Sequence, residues 1–170
     1  MIRSATLQDA ASIAKIYNWY IENTVITFEQ VSVTDQEMQA RISRGNELHP
    51  WFVVEQQGVV SGFAFAAEFK SRGAYRQTVE TTIYLPTDEI GRGNGRRLYQ
   101  HLIDHLQRTS IHVLVSTIAL PNLRSIALHE KLGYRKSGHL FEVGRKFDNW
   151  VDVEYWQLVF DDDKPVAINQ

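Results

Sequence analysis

The run Ile90-Gly91-Arg92-Gly93-Asn94-Gly95-Arg96 constrains this chain more than any other stretch. It stands between a strand-like segment, Val79 to Leu85, and a strongly amphipathic helix marked by Leu98, Leu102, Ile103 and Leu106. Alternate glycines leave backbone N–H groups uncovered and free to take turns closed to other residues, and the open N–H groups of a helix start add partial positive charge. Such a junction suits an anionic ligand, phosphate above all. The competing reading is a tight strand-to-helix loop with no ligand.

At 170 residues and 44% hydrophobic, the chain can bury the core of one domain, and nothing in it marks a second. A formal net charge of −2 argues against a large cationic surface, so neither nucleic acid nor an anionic membrane is expected as a partner. No apolar run approaches the roughly 18 to 20 residues of a membrane span, and Met1-Ile2-Arg3-Ser4-Ala5-Thr6 lacks the apolar core of a signal peptide. A cytoplasmic protein is the expectation. With no cysteine, disulfides, zinc–thiolate sites and a thiol nucleophile are excluded, and no metal site is expected.

Periodicity predicts a mixed α/β domain over residues 1–160 and a solvated tail from 161. Ile2 to Thr6 reads as a strand, and Asp9 as the N-cap of a helix carrying Ile13, Ile16, Tyr17 and Tyr20 or Ile21. Thr34 with Glu37 three residues on reads as a capping box for a second helix through Met38 and Ile42, stopped at Gly45-Asn46. Trp51 to Glu55 and Val59 to Ala67 form a hairpin about Gln56-Gln57-Gly58, and Ile111 to Ala119 reads as a further strand. A short helix follows between Pro121 and Leu132, ended by Gly133. Tyr134 to Val143 and Trp150 to Phe160 close the series, which gives about seven strands and four helices around one sheet.

Two nucleotide-binding patterns fail at the glycine run. A P-loop needs Lys then Ser or Thr after its last glycine, where this chain has Arg96-Arg97. A dinucleotide fingerprint needs glycine at position 96 and an acidic residue within Ile111 to Leu114, and neither is present. The surviving pattern, x-Gly-Arg-Gly-x-Gly between strand and helix, resembles that of the GCN5-related N-acetyltransferases. Within that family the chain is most similar to phosphinothricin and methionine sulfoximine acetyltransferases. The similarity runs through Lys70-Ser71-Arg72-Gly73-Ala74-Tyr75, Thr78-Val79-Glu80, Leu120-Pro121-Asn122, His129-Glu130-Lys131-Leu132-Gly133-Tyr134 and Trp156-Gln157-Leu158. It covers nearly the whole chain.

The resemblance implies acetyl-CoA as cosubstrate. Amides of Gly91, Arg92, Gly93, Asn94 and Gly95 would hold its pyrophosphate, and the strand near Ile83, Tyr84 and Leu85 would pair with its pantetheine arm. The family's usual Gln or Arg at the first loop position is here Ile90, preceded by Asp88-Glu89, so a side-chain phosphate contact is lost there. Arg92, Arg96 or Arg97 could supply one, or could be a solvated helix start. Asn122 could cap its helix or bind the cofactor arm.

Transfer of acetyl to an amine needs the amine neutral, the carbonyl polarised and the thiolate protonated. Strand alternation puts Glu80 on one face with Thr82 and Tyr84, as a candidate base or as an exposed or paired structural glutamate. His129, three residues after Ile126, reads from spacing as a polar-face histidine, and Tyr134 as a half-buried strand aromatic. The resemblance makes Glu80 the base, His129 a second base or proton relay, and Tyr134 the group at the departing sulfur. Arg72 offers a planar fork for a carboxylate, with Lys70 and Tyr75 beside it. Phe28 and Trp150 are candidate apolar walls of the acceptor pocket, or core residues. The expected acceptor is a free amino acid or analogue, attacked directly within a ternary complex. A polyamine, an aminoglycoside, a protein N-terminus or a non-catalytic acyl-CoA-binding module are the alternatives. The resemblance also implies a homodimer, to which an aromatic-rich final strand (Trp150, Tyr155, Trp156) at a sheet edge would lend itself.

Overall fold

The computed structural model describes residues 1–161. Among these residues seven strands and four α-helices follow one another as β1 (Ile2–Ser4), α1 (Ala10–Asn23), α2 (Asp35–Ser43), β2 (Trp51–Gln56), β3 (Val59–Glu68), β4 (Thr78–Tyr84), α3 (Asn94–Leu106), β5 (Val113–Ala119), α4 (Leu123–Lys131), β6 (Arg135–Lys146) and β7 (Asn149–Val159). The sheet order is β1-β2-β3-β4-β5-β7-β6. Only β4 and β5 run parallel, because α3 carries the chain back between them; every other pair is antiparallel.

Strand alternation distributes the core to both faces of this sheet. Phe52, Val54, Ala64, Ala66, Val79 and Leu114 meet the apolar stripe of α3, formed by Leu98, Tyr99, Leu102, Ile103 and Leu106. Val53, Phe63 and Tyr84 point the other way, onto Ile13, Ile16, Tyr20 and Ile21 of α1 and Met38 and Ile42 of α2. Thr34 caps α2 in a full capping box with Glu37. Asp9 does not cap α1 with its side chain; its carboxylate reaches back to the Thr6 N–H and hydroxyl across a 3₁₀ turn, Leu7–Asp9.

The expectation that the final strand forms an edge is overturned. β7 lies inside the sheet between β5 and β6, with Trp156 buried, and β6 is the edge. The hairpin joining them is also tighter than its composition suggests. Only Phe147 and Asp148 turn the chain, both at positive φ, and β6 bulges around Glu142, whose N–H donates to Asp152 Oδ1. Asp161 is exposed, and the rest of the expected tail lies outside the described residues.

One irregularity positions the site. The parallel ladder between β4 and β5 holds only over Thr78–Glu80 against Val113–Val115. From Thr81 onward β4 stays paired with β3, and from Ser116 onward β5 stays paired with β7. Neither has a strand partner toward the other, so the sheet forks there and one backbone edge of β4 is left open.

Candidate active site

Glu80 marks the point of the fork. It pairs with Ala67 on one side and Val115 on the other, and it is half-buried. Its carboxylate accepts no hydrogen bond from the described residues, so its acceptor capacity is open to a ligand. Thr82 and Tyr84 share its face. The Tyr84 ring is buried against Tyr17 and Tyr20, at centroid distances of 5.1 and 5.0 Å, so only the backbone of Tyr84 can meet a ligand along the open edge. Ile83 faces the α3 layer and packs on its core, while Leu85 gives its carbonyl to the Tyr20 hydroxyl.

On the α3 side of the fork, side chains replace the missing ladder. Ser116 Oγ donates to the Thr81 carbonyl at 3.0 Å, and Thr81 Oγ1 lies 3.0 Å from Ser116 Oγ and 2.9 Å from the Tyr134 hydroxyl. Tyr99 brings its hydroxyl from α3 to the same place, 2.7 Å from Ser116 Oγ and 3.1 Å from His129 Nε2. His129 is not on a polar face: it is 3% exposed, wedged between the Tyr99 and Tyr134 rings. Its Nδ1 lies 2.7 Å from the Ser125 carbonyl, which fixes the proton on that nitrogen. Burial pulls its pKa down, so the imidazole is neutral, and burial pushes the Tyr134 hydroxyl well above the usual tyrosine range. Thr81, Tyr99 and Ser116 escape sequence reasoning because a tyrosine in an apolar helical stripe and hydroxyls on a core-facing strand read as packing.

The glycine run turns from β4 into α3 as its spacing predicts. Gly91 and Gly93 have φ of +87° and +84°, which favour glycine, and a Cβ on either would meet nothing within 4 Å. The turn is therefore open on its outer side. Gly95 does a different job: a Cβ there would lie 3.0 Å from Leu85 Cδ1, so its absence lets α3 close on the end of β4. No side chain among the described residues caps α3; its first intrahelical bond runs from Arg97 N to Gly93 O, leaving earlier N–H groups open to an anion. Glu89, just before the run, braces the turn by accepting from Gln56 Nε2, Asn94 Nδ2 and Arg92 Nη1. Arg92 is thus tied to the loop, Asn94 is buried, and Arg96 and Arg97 are exposed on the first turn of α3.

Asn122 caps α4, its Oδ1 accepting from Ser125 N at 3.2 Å. Lys70, Arg72 and Tyr75 lie on the β3–β4 connection that leads within a few residues to Glu80. Neither Lys70 nor Arg72 pairs with an acidic side chain among the described residues, and Lys70 Nζ sits 5.4 Å from the Tyr75 ring centroid. Phe28 and Trp150 are 40% and 61% exposed, so neither is a core residue. Phe28 rests on Gly144 of β6, where a Cβ would fall 2.1 Å from its Cε2. The adjacent Lys146 is buried and donates from Nζ to the Thr27 carbonyl at 2.8 Å, which fastens the α1–α2 loop to the last hairpin.

A mixed sheet forked between its two parallel strands, with a glycine turn open to an anion beyond the fork, is the framework of an acetyltransferase fold, and comparison with known proteins shows the same family. Residues 2–155 match the acetyltransferase (GNAT) domain, and the chain belongs to that family, as its motifs imply. It is similar to the phosphinothricin N-acetyltransferase of Streptomyces viridochromogenes, at 39% identity over 94% of this chain and 87% of that one. Similarity to the L-methionine sulfoximine/L-methionine sulfone acetyltransferase of Salmonella typhimurium is 35%, over 95% of each. Among solved structures, a phosphinothricin acetyltransferase from Sinorhizobium meliloti in complex with acetyl-CoA superposes with a TM-score of 0.89 at 32% identity, covering 94% of this chain and 87% of that one.

Proposed function

We propose that this protein moves the acetyl group of acetyl-CoA to the α-amine of a free, anionic amino acid or analogue of the methionine sulfoximine, methionine sulfone or phosphinothricin type. The observation that carries this reading is the fork with Glu80 at its point and the open glycine turn beyond it. An extended cosubstrate laid along the free edge of β4 would place its pyrophosphate at the amides of Gly91 to Gly95 and its thioester beside Glu80. Arg72, with Lys70 and Tyr75, would receive the acceptor's carboxylate through charge-assisted hydrogen bonds. Their charge disfavours polyamines and aminoglycosides.

Glu80 then takes a proton from the acceptor's ammonium group, freeing the lone pair for direct attack on the thioester carbonyl. Tyr134 stands at the departing sulfur, and His129 serves as a proton relay behind it. Asn122 remains beside the cofactor arm while capping α4. Phe28 and Trp150 wall the acceptor site. The protein works as a homodimer in the cytoplasm; no helix among the described residues is long and apolar enough to cross a membrane.

CoA release assayed against methionine sulfoximine, methionine sulfone, phosphinothricin, ordinary amino acids and polycationic amines tests the reading. Turnover is expected with the anionic analogues, and turnover confined to polycations would overturn it. Glu80→Gln is expected to lower kcat at neutral pH by about a hundredfold or more while acetyl-CoA still binds; an unchanged kcat removes Glu80 from the role of base.

A further inference from the structure

Behind the fork, Thr81, Tyr99, Ser116, His129 and Tyr134 are all 3% exposed or less and bond chiefly to one another. Burying so many polar groups is costly unless each is satisfied, and an apolar core would hold the same elements together at less cost. Their order is what sets them apart. The Tyr134 hydroxyl lies 2.9 Å from Thr81 Oγ1, Thr81 Oγ1 lies 3.0 Å from Ser116 Oγ, and Ser116 Oγ lies 2.7 Å from the Tyr99 hydroxyl, and in each pair either oxygen can donate. The Tyr99 hydroxyl then lies 3.1 Å from His129 Nε2. Because Nδ1 is held as a donor by the Ser125 carbonyl, Nε2 presents a lone pair to Tyr99. The single Tyr99 proton also has Thr81 Oγ1, Ser116 Oγ and the Thr81 carbonyl within 3.2 Å, so it can turn between partners. A line of exchangeable protons therefore joins Tyr134 to His129 through Thr81 and Ser116, and Tyr99 is its one link to the imidazole.

We propose that Tyr99 is a positioning residue that couples His129 to Tyr134, so that the imidazole stores the proton shed by the attacking amine and returns it to the departing sulfur. The proposal rests on the acetyl-transfer reading above. When the neutral amine forms its C–N bond, nitrogen holds one proton more than the amide keeps. The Tyr134 oxygen takes that proton and passes its own to Thr81, Thr81 passes one to Ser116, Ser116 passes one to Tyr99, and Tyr99 passes one to Nε2. When the C–S bond breaks and its electron pair goes to sulfur, the line runs in reverse and Tyr134 protonates the thiolate. The products are an amide with one N–H, a CoA thiol and a neutral His129. The buried surroundings of the ring make its extra proton easy to return.

Tyr99→Phe tests this, because it keeps the buried ring stacked on Tyr134 and removes only the hydroxyl. Expected is a fall in kcat of about tenfold or more with the KM for acetyl-CoA within about twofold of wild type. The Tyr99→Phe/His129→Gln double variant is expected to be no slower than the slower single variant, since both break one line. Thr81→Val should reproduce the loss and Thr81→Ser should not, and this pair decides the matter if Tyr99→Phe fails to fold. An unchanged kcat in Tyr99→Phe beside an active wild type, or losses that multiply in the double variant, overturns the relay alone. A wild type that releases no CoA with any amine overturns the acetyl-transfer reading, and the relay with it.

Discussion

The carboxylate of Asp9 accepts two hydrogen bonds from Arg3 and two from Thr6, and its pKa is held down at about 2, chiefly by the Arg3 hydrogen bonds. Its unfolded value is about 3.9, so the charged form is favoured by folding; that stability is complete above about pH 4 and is lost as pH falls toward 2. Asp9→Asn is therefore expected to lower the free energy of unfolding by about 2 kcal/mol at pH 7. Denaturant titrations should show this deficit shrinking toward nothing near pH 2; an unchanged midpoint at pH 7 would contradict it. Arg3 also holds Glu55 on β2, so this one cluster ties the first strand to its neighbour and to the start of α1. Sequence shows Asp9 as a helix-start residue but not Arg3 as its partner, because that bond depends on how β1 meets the turn. His129 is similar: its place on a short helix is legible, whereas its burial comes from Tyr99, brought by α3, and from Tyr134 in the turn that ends its own helix.

The glycine turn is the element most fully written in the sequence, since positive φ at Gly91 and Gly93 and close approach at Gly95 are local demands. Gly93→Val forces a β-branched residue into a left-handed conformation, a strain of about 1 to 3 kcal/mol, at the point where α3 begins. Acetyl-CoA affinity measured by calorimetry is expected to fall by more than about tenfold, whereas Ile90→Gln should stay within about threefold. Equal losses in the two would mean that side chains, not backbone amides, hold the cosubstrate. What local pattern does not convey is the brace: Glu89 reads only as an acidic residue ahead of Ile90, yet it receives Gln56 from β2 and Asn94 from α3. The same limit applies to β6 and β7. Their apolar and aromatic content predicts strands, but nothing local shows that Phe147 and Asp148 make a two-residue turn or that Glu142 starts a bulge.

At the scale of the whole molecule, the number and order of elements follow from periodicity, while the insertion of β7 between β5 and β6 does not. Sequence neighbours fix which strands form a hairpin and leave open which member joins the sheet. Because β6 is the edge, Leu140, Phe141, Val143 and, at the hairpin tip, Phe147 and Trp150 stand exposed, Phe141 at 76%. Such an edge invites a partner, and a second copy would cover it. Sedimentation at micromolar concentration is expected to give about twice the 19.6 kDa chain mass, and Phe141→Asp to shift the protein toward monomer. A wild-type monomer would reject the dimer. The contact between Phe28 and Gly144 joins the front of the chain to this last hairpin, and it makes two distant positions a single unit of variation. A relative with any side chain at 144 should carry a smaller residue at 28 or turn that exposed ring aside, since the ring alone stands in the way.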